Sequence, residues 1–214
     1  MIDVRSFTVG PVQENCHIAF LPGSGKAVVV DPGDEPERLL EAMGALGVEP
    51  EAILLTHTHF DHVGAVAPLA RATGAPVWCP EIEVPVLADI MRFVPWPGIG
   101  PYESYDADHT VAGGERLSLA GIDLDVVFTP GHSPGHVTYA APGHGALFSG
   151  DVLFQGSVGR TDLPGGDWPT LARSIAGLLD AYPDETVVYP GHMGVTTLGR
   201  ERASNPFLAE LARS

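Results

Sequence analysis

Within Thr56-His57-Thr58-His59-Phe60-Asp61-His62, three imidazoles and a carboxylate able to bind a metal follow directly on the apolar run Ile53-Leu54-Leu55. Successive side chains of an extended segment alternate faces, so a His-x-His pair leaving a strand points both imidazoles the same way. A turn into a following helix then brings Asp61 and His62 round to the same place. Imidazole and carboxylate suit zinc, iron or manganese, and this one loop offers more than a single tetrahedral site needs if other ligands arrive from elsewhere. The stretch therefore has ligands enough to contribute to two adjacent metals.

Three other segments repeat the design. Ile122 to Phe128 leads into Thr129-Pro130-Gly131-His132-Ser133-Pro134-Gly135-His136, Ala146 to Phe148 ends at Ser149-Gly150-Asp151, and Thr186 to Tyr189 ends at Pro190-Gly191-His192. Four strand ends thus present His57, His59, Asp61 and His62, then His132, Asp151 and His192. A sheet that places functional groups at successive strand ends builds one shared cleft, and seven ligands can serve two metals if one carboxylate bridges. Asp31, in Asp31-Pro32-Gly33-Asp34, reads as a carboxylate accepting backbone bonds behind the site rather than as a ligand. His136 is close enough to His132 to orient a ligand loop. His17, His109 and His144 lie on strands or in turns without partners and read as surface or satisfied histidines.

Positioning these groups takes many short strands. Ile2 to Val9, Cys16 to Phe20 and Ala27 to Val30 read as an antiparallel meander, and Asp34 before Pro36 as the cap of a helix to about Leu46. Ala52 to Leu55 is a buried strand, Val63 to Ala72 an apolar helix and Val77 to Cys79 the next strand. Val84 to Phe93 reads as helical, and the aromatic, proline-rich stretch 94–102 as a packed surface loop. Val111 to Leu119 and Ile122 to Phe128 read as a hairpin around Ala120-Gly121, and Val137 to Ala140 pairs with Ala146 to Phe148. Phe154 to Asp167 is a glycine-rich excursion, after which Asp167 and Pro169 start a helix through about Leu179.

At 214 residues the chain is long enough for one large domain, spanning residues 1–214, and a second is not expected. The net charge of -16, with 11 Lys+Arg against 27 Asp+Glu, leaves no basic stripe to neutralise phosphates, so no nucleic acid is expected as a partner. Bound metal would offset part of that charge. Met1-Ile2-Asp3-Val4-Arg5 shows no basic segment leading into an apolar one, and no run reaches the roughly 18 apolar residues of a membrane span. The expectation is a soluble, cytoplasmic protein with no membrane partner. Cys16 and Cys79, each in an apolar segment, read as buried thiols in a reducing compartment. Oligomeric state has no signature in the sequence.

His57-x-His59-x-Asp61-His62, Thr129-Pro130-Gly131-His132-x-Pro134-Gly135-His136, Ser149-Gly150-Asp151 and Pro190-Gly191-His192 resemble, in order and across nearly the full chain, the metallo-β-lactamase superfamily and within it the short bacterial glyoxalase II-like (hydroxyacylglutathione hydrolase-like) group. The resemblance implies an α+β fold, an αβ/βα four-layer sandwich of two mixed β-sheets flanked by helices, with two divalent metal ions at one edge of the sheets. It implies one metal held by His57, His59 and His132, another by Asp61, His62 and His192, and Asp151 bridging both. The ions would be zinc in the first place, with iron or manganese as alternatives. A hydroxide shared by two metals is nucleophilic at neutral pH, and the same ions polarise a carbonyl. A small-molecule thioester suits such a site because its thiolate leaves without full protonation. The implied reaction converts thioester and water into a carboxylic acid and a thiol, with Asp61 and Asp151 as the catalytic carboxylates.

Departures from the group bear on the substrate. No counterpart is expected here of the C-terminal helical extension with which longer glyoxalase II enzymes bind glutathione, since little sequence follows Asn205-Pro206-Phe207. Those enzymes have a basic residue where Arg160 stands, but an aromatic near the position of Asp162. Arg160 could hold a substrate carboxylate, or Asp162 could tie it up in a pair. Persulfide dioxygenases, which use one iron held by residues matching His57, His132 and Asp151, are similar in the histidine loop and in Gly159-Arg160-Thr161-Asp162, yet are altered where this chain has Pro190-Gly191-His192. β-Lactam hydrolases commonly carry cysteine at the Asp151 position.

Overall fold

The computed structural model describes residues 1–94 and 96–211. Two six-stranded sheets account for most of it. β1 (Asp3–Val9), β2 (Glu14–Phe20), β3 (Lys26–Val30), β4 (Glu49–Leu54), β5 (Val77–Pro80) and β6 (His109–Val111) lie side by side in that order in the first sheet. β1 to β3 form the expected antiparallel meander, and β3 to β6 are parallel. The second sheet runs β14 (Thr196–Thr197), β13 (Val187–Pro190), β10 (Ala146–Gly150), β9 (Val137–Ala141), β8 (Ile122–Phe128) and β7 (Arg116–Leu119). Only β10 and β13 pair in parallel there. β11 (Leu153–Phe154) and β12 (Ser157–Val158) make a small ribbon of their own.

Alternation along the strands sets the layers. Val28, Val30, Ala52 and Leu54 face inward and meet Leu124, Val126, Tyr139 and Phe148 of the second sheet. The intervening Ala27, Val29 and Ile53 face outward, onto Leu39 and Met43 of α1 (Pro36–Leu46) and, past α2 (Phe60–Val63), onto Leu69 of α3 (Val66–Thr73). On the opposite flank, beyond α4 (Val84–Leu87) and α5 (Ile90–Phe93) in sequence, α6 (Trp168–Ala181) lays Leu171, Ile175 and Leu178 on Leu147 and Val188. Each such side chain contributes about 1.5–3 kcal/mol when fully buried. The order helix, sheet, sheet, helix is the expected four-layer sandwich. Two short helices, α7 (Leu198–Ser204) and α8 (Pro206–Leu211), close the described chain.

Five local expectations are corrected. Residues 111–119 are not one strand: the chain turns at Gly113 and Gly114, both at positive φ, and passes from the first sheet to the second, so only Arg116–Leu119 pairs with β8. The cap of α1 is Glu35 in the left-handed region, while the Asp34 carboxylate accepts from the Glu35 amide at 2.7 Å. The helices expected over 63–72 and 84–93 are each broken into two, at Gly64-Ala65 and Ala88-Asp89. The 94–102 loop, whose Pro95 lies outside the described residues, borders a pocket through Trp96 instead of merely packing on the surface. Asp167 caps α6 as expected, accepting from the Thr170 amide at 2.9 Å. Cys16 and Cys79 are buried free thiols.

Candidate metal centre

All four ligand-bearing loops emerge at one end of the sandwich. β8, β10 and β13 point the same way within the second sheet, and β4 brings its end to the same edge from the first. Val137 N donates to Thr56 O at 2.8 Å, stitching the first histidine loop to the start of β9. Gly191 N donates to Gly150 O at 2.9 Å, joining the loops of Asp151 and His192. Gly191 is required there, because a Cβ would strike Asp151 Oδ1 and His62.

The side chains fall into two groups around Asp151. His57 Nε2, His59 Nδ1 and His132 Nε2 converge, with His59 Nδ1 lying 3.1 Å from the first and 2.8 Å from the third. Asp61, His62 and His192 form the second group, His192 Nε2 standing 3.2 Å from Asp61 Oδ2. Asp151 Oδ2 lies 3.4 Å from His132 Nε2 and 3.6 Å from His192 Nε2, and its Oδ1 lies 3.4 Å from His62 Nε2. The structure thus brings together all seven candidate ligands, with one carboxylate between the two groups.

The outer edges of the rings decide what the inner edges can do. His62 Nδ1 donates to Asp31 Oδ2 (3.1 Å), His132 Nδ1 to the Arg160 carbonyl (2.8 Å) and His192 Nδ1 to the Gln13 carbonyl (3.3 Å). Thr56 gives its hydroxyl proton to Asp31 (2.6 Å) and so accepts from His57 Nδ1 (3.1 Å). These partners occupy the outer nitrogens of His57, His62, His132 and His192 and leave their inner nitrogens facing the centre of the site, where a bound ion would take the place of a proton. His62 Nε2 and Asp151 Oδ1 are buried without a hydrogen-bond partner. Converging lone pairs and an orphaned carboxylate oxygen are unfavourable without a cation, so the residues fit divalent metal. Asp31 also comes within reach of His57 and His62, but on the outer edge of the rings, where it orients rather than ligates.

Comparison with known proteins places the chain in a family. Residues 9–192 match the metallo-beta-lactamase superfamily. The chain belongs to that superfamily. Hydroxyacylglutathione hydrolase GloC of Haemophilus influenzae is 35% identical over 213 residues, covering 97% of this chain and 98% of its own. The crystal structure of BLEG-1 B3 metallo-beta-lactamase superposes with TM-score 0.91 at 38% identity, over 96% and 99% of the two chains. TTHA1623, solved in a di-iron-bound form, gives TM-score 0.79 at 44% identity, over 95% and 100%.

In this metallo-β-lactamase superfamily hydrolase, charge is distributed unevenly over the site. Burial and the surrounding histidines push His57 well below the usual imidazole range, and burial with His132 beside it takes His59 down to about 4. Both rings are therefore neutral, the form that ligates metal. Burial alone would raise Asp151, but His62 and His132 outweigh it and hold the carboxylate well below its ordinary value. Burial likewise opposes a charged His62, yet Asp151 and Asp61 draw it well upward.

Three supporting residues carry no motif and escape a reading of the sequence. Glu83 follows β5 and accepts from Thr58 Oγ1 (2.8 Å), Ser133 Oγ (2.7 Å) and Gly135 N (2.8 Å). Asn15 donates to the Pro190 and Met193 carbonyls (3.1 and 2.8 Å), bracing the His192 loop from β2. Glu14, fully buried, stands 3.7 Å from His62 Nδ1, and burial raises it well above the carboxylate range. His136 Nε2 accepts from the Asp151 amide at 3.0 Å, a contact to the backbone of another candidate ligand residue. His17 is buried and satisfied, between Ser6 Oγ (2.8 Å) and the Pro190 carbonyl (3.1 Å). The Arg160 side chain makes a two-pronged pair with Asp162 at 2.6 and 2.8 Å, the second of the two readings open to it. A pocket of about 660 Å³ opens over His59, Asp61, His132, Asp151 and His192.

Proposed function

We propose that the chain is a dinuclear metal-dependent hydrolase of a small-molecule thioester. In this reading His57, His59 and His132 would hold one divalent ion and Asp61, His62 and His192 the other, with Asp151 available to both. Zinc heads the candidates, with iron and manganese served by the same donor set. The observation that carries it is the reach of Asp151 to both groups, one oxygen toward His62 and the other toward His132 and His192. Bound metals supply an acidified water as nucleophile at neutral pH and polarise the acyl carbonyl. Asp31, Thr56, Gln13 and Arg160 fix the rings through their outer nitrogens, so the donor geometry exists before substrate arrives. The apolar pocket wall keeps bulk water from the acyl group, and the thiolate leaves without full protonation. The likeness to GloC, named a hydroxyacylglutathione hydrolase, supports the reaction class. The acidic surface, with no nucleic-acid or membrane partner proposed, fits a small-molecule enzyme of the cytoplasm.

Metal per chain on protein purified without chelator, together with turnover of S-lactoylglutathione, oxygen uptake on glutathione persulfide and hydrolysis of a β-lactam, tests the reading. Two metals with thioester cleavage and neither of the other activities is the expected outcome. One iron with oxygen uptake would make it a dioxygenase, and β-lactam cleavage without thioester cleavage would sink the thioesterase assignment. Asp151→Asn should abolish turnover; full activity would remove the bridging carboxylate from the scheme.

A further inference from the structure

The hairpin that follows Asp151 is too small to hold its own place. β11 and β12 have two residues each and pair with one another alone among the described strands, and a ribbon this short has too few cross-strand bonds to be stable by itself. Yet three candidate ligands lean on it. Asp151 stands at its start, and Arg160, at its end, offers the carbonyl that accepts from His132 Nδ1 at 2.8 Å. Between them Phe154 meets the His192 ring edge-on, with centroids 5.8 Å apart, and Phe154, Ser157 and Val158 line the pocket over the metal centre. Gly159 lies so close to the Asp151 carbonyl that a Cβ there would strike it. Any displacement of the hairpin is therefore felt by these groups.

What fixes the hairpin comes from the far end of the chain. Three successive residues of its tip are each held from α7 or from the joint after it. Gln155, with its amide oxygen turned toward the helix, accepts from Arg200 Nη1 and Nη2 at 3.1 and 3.2 Å. Gly156 N donates to Glu201 Oε2 at 2.7 Å, and Asn205 Nδ2 donates to the Ser157 carbonyl at 2.9 Å. Glu201 is the centre of this arrangement: its Oε2 also accepts from Asn205 Nδ2 at 2.9 Å, and its Oε1 from Thr196 Oγ1 at 2.5 Å. Glu201 and Asn205 are both buried. An apolar side chain would cover the same surface and let the hairpin slide. A buried carboxylate on a backbone amide fixes distance and direction instead, because either partner left alone would lose its only compensation for leaving water.

We propose that Glu201 is a positioning residue of the metal centre: it clamps the hairpin tip, and through the hairpin it holds His132 and His192, one from each ligand group, together with one wall of the pocket. Glu83, by contrast, binds the loops of the first group alone. The consequence of the clamp for turnover rests on the thioesterase reading above.

Glu201→Ala removes the clamp and Glu201→Gln restores it, since a glutamine carbonyl can take both bonds at Oε2 while its amide turns to the Thr196 hydroxyl. Hydrogen exchange across residues 152–159 of the full chain and stepwise chelator competition, both well below the melting temperature, read the hairpin and the metal centre separately. In Glu201→Ala that segment should exchange roughly 10-fold faster with the rest of the chain unchanged, and both metal sites should weaken roughly 10-fold, with recovery in Glu201→Gln. A lowered Tm with unaltered metal affinity is what a merely structural glutamate predicts and would overturn the proposal. So would faster exchange spread over the whole chain, or a Glu201→Gln variant no better than Glu201→Ala. If Glu201→Ala does not fold, the double variant Arg200→Ala, Asn205→Ala removes the two flanking grips and keeps Glu201. It should show the same changes at smaller size, and metal affinity equal to that of the natural chain would overturn the proposal. Turnover of S-lactoylglutathione separates the clamp from the reaction. Metal affinity that follows Glu201 in a chain cleaving no thioester refutes the thioesterase and leaves the clamp standing. Thioester cleavage with exchange and metal affinity indifferent to Glu201 refutes the clamp and leaves the thioesterase.

Discussion

Glu83 shows how much of a metal site can hang on a side chain that never faces the metal. Its two oxygens receive Thr58, which stands between His57 and His59, and Ser133 with Gly135, which follow His132. Both loops of the first ligand group are thereby tied to one buried carboxylate. Truncation would leave three buried donors without an acceptor, each costing about 1–3 kcal/mol. Glu83→Ala should weaken metal binding by the His57, His59 and His132 group roughly 10- to 100-fold, with the Asp61, His62 and His192 group affected less. Stepwise competition with a chromogenic chelator reads the two sites separately; equal weakening of both would show that Glu83 supports the fold at large. Nothing in Pro80-Glu81-Ile82-Glu83 announces this role, since Glu81 and Glu83 look alike in sequence and only the path of the chain buries the second.

At the scale of elements, what was readable in the sequence is what depends on local chemistry. The ends of β4, β8, β10 and β13 stood out because each apolar run stops at a glycine, proline or histidine loop, and a strand end followed by such a loop is a local pattern. The passage from β6 to β7 was not readable, because apolar alternation continues on both sides of Ala112-Gly113-Gly114 and the choice of sheet is made by packing partners far away in sequence. The same holds for β2, whose Glu14, Asn15 and His17 are polar yet buried against the His192 loop. His17 carries a pH dependence with it. Burial brings its pKa down to about 4, so the unfolded chain, with an ordinary imidazole near 6.5, takes up the proton first on acidification. Stability present above pH 6.5 is therefore lost as the pH falls toward 4, by at most about 3 kcal/mol. Melting of chelator-treated protein should become less acid-sensitive over this window in His17→Gln, and an unchanged slope would assign the loss to other groups.

Seen whole, the molecule concentrates five buried or half-buried histidines and two carboxylates of its ligand set with Glu14 and Asp31 close behind, a grouping tolerable only with cations to hold it. Metal should accordingly be part of its stability. At free metal 1,000-fold above Kd, binding adds about 4 kcal/mol, which for a chain of this size raises Tm by roughly 10 °C. Removal with chelator and return of zinc should lower and restore the melting temperature by that order, with far-ultraviolet dichroism little changed below the transition. An unaltered Tm would mean that the ligands are held by the protein alone.

The turn at Gly113 and Gly114 divides the chain more deeply than a turn usually does. Every strand of the first sheet precedes it and every strand of the second follows it. His57, His59, Asp61 and His62 belong to the first portion, and His132, Asp151 and His192 to the second. Each portion owns a complete sheet and an incomplete set of candidate ligands, so the protein is arranged as two would-be subunits fused in tandem, and the candidate ligands meet where a heterodimer would have its interface. If the site holds metal as proposed, two fragments severed at this turn should associate more tightly as metal is supplied, and association that ignores metal would show that sheet packing alone joins them.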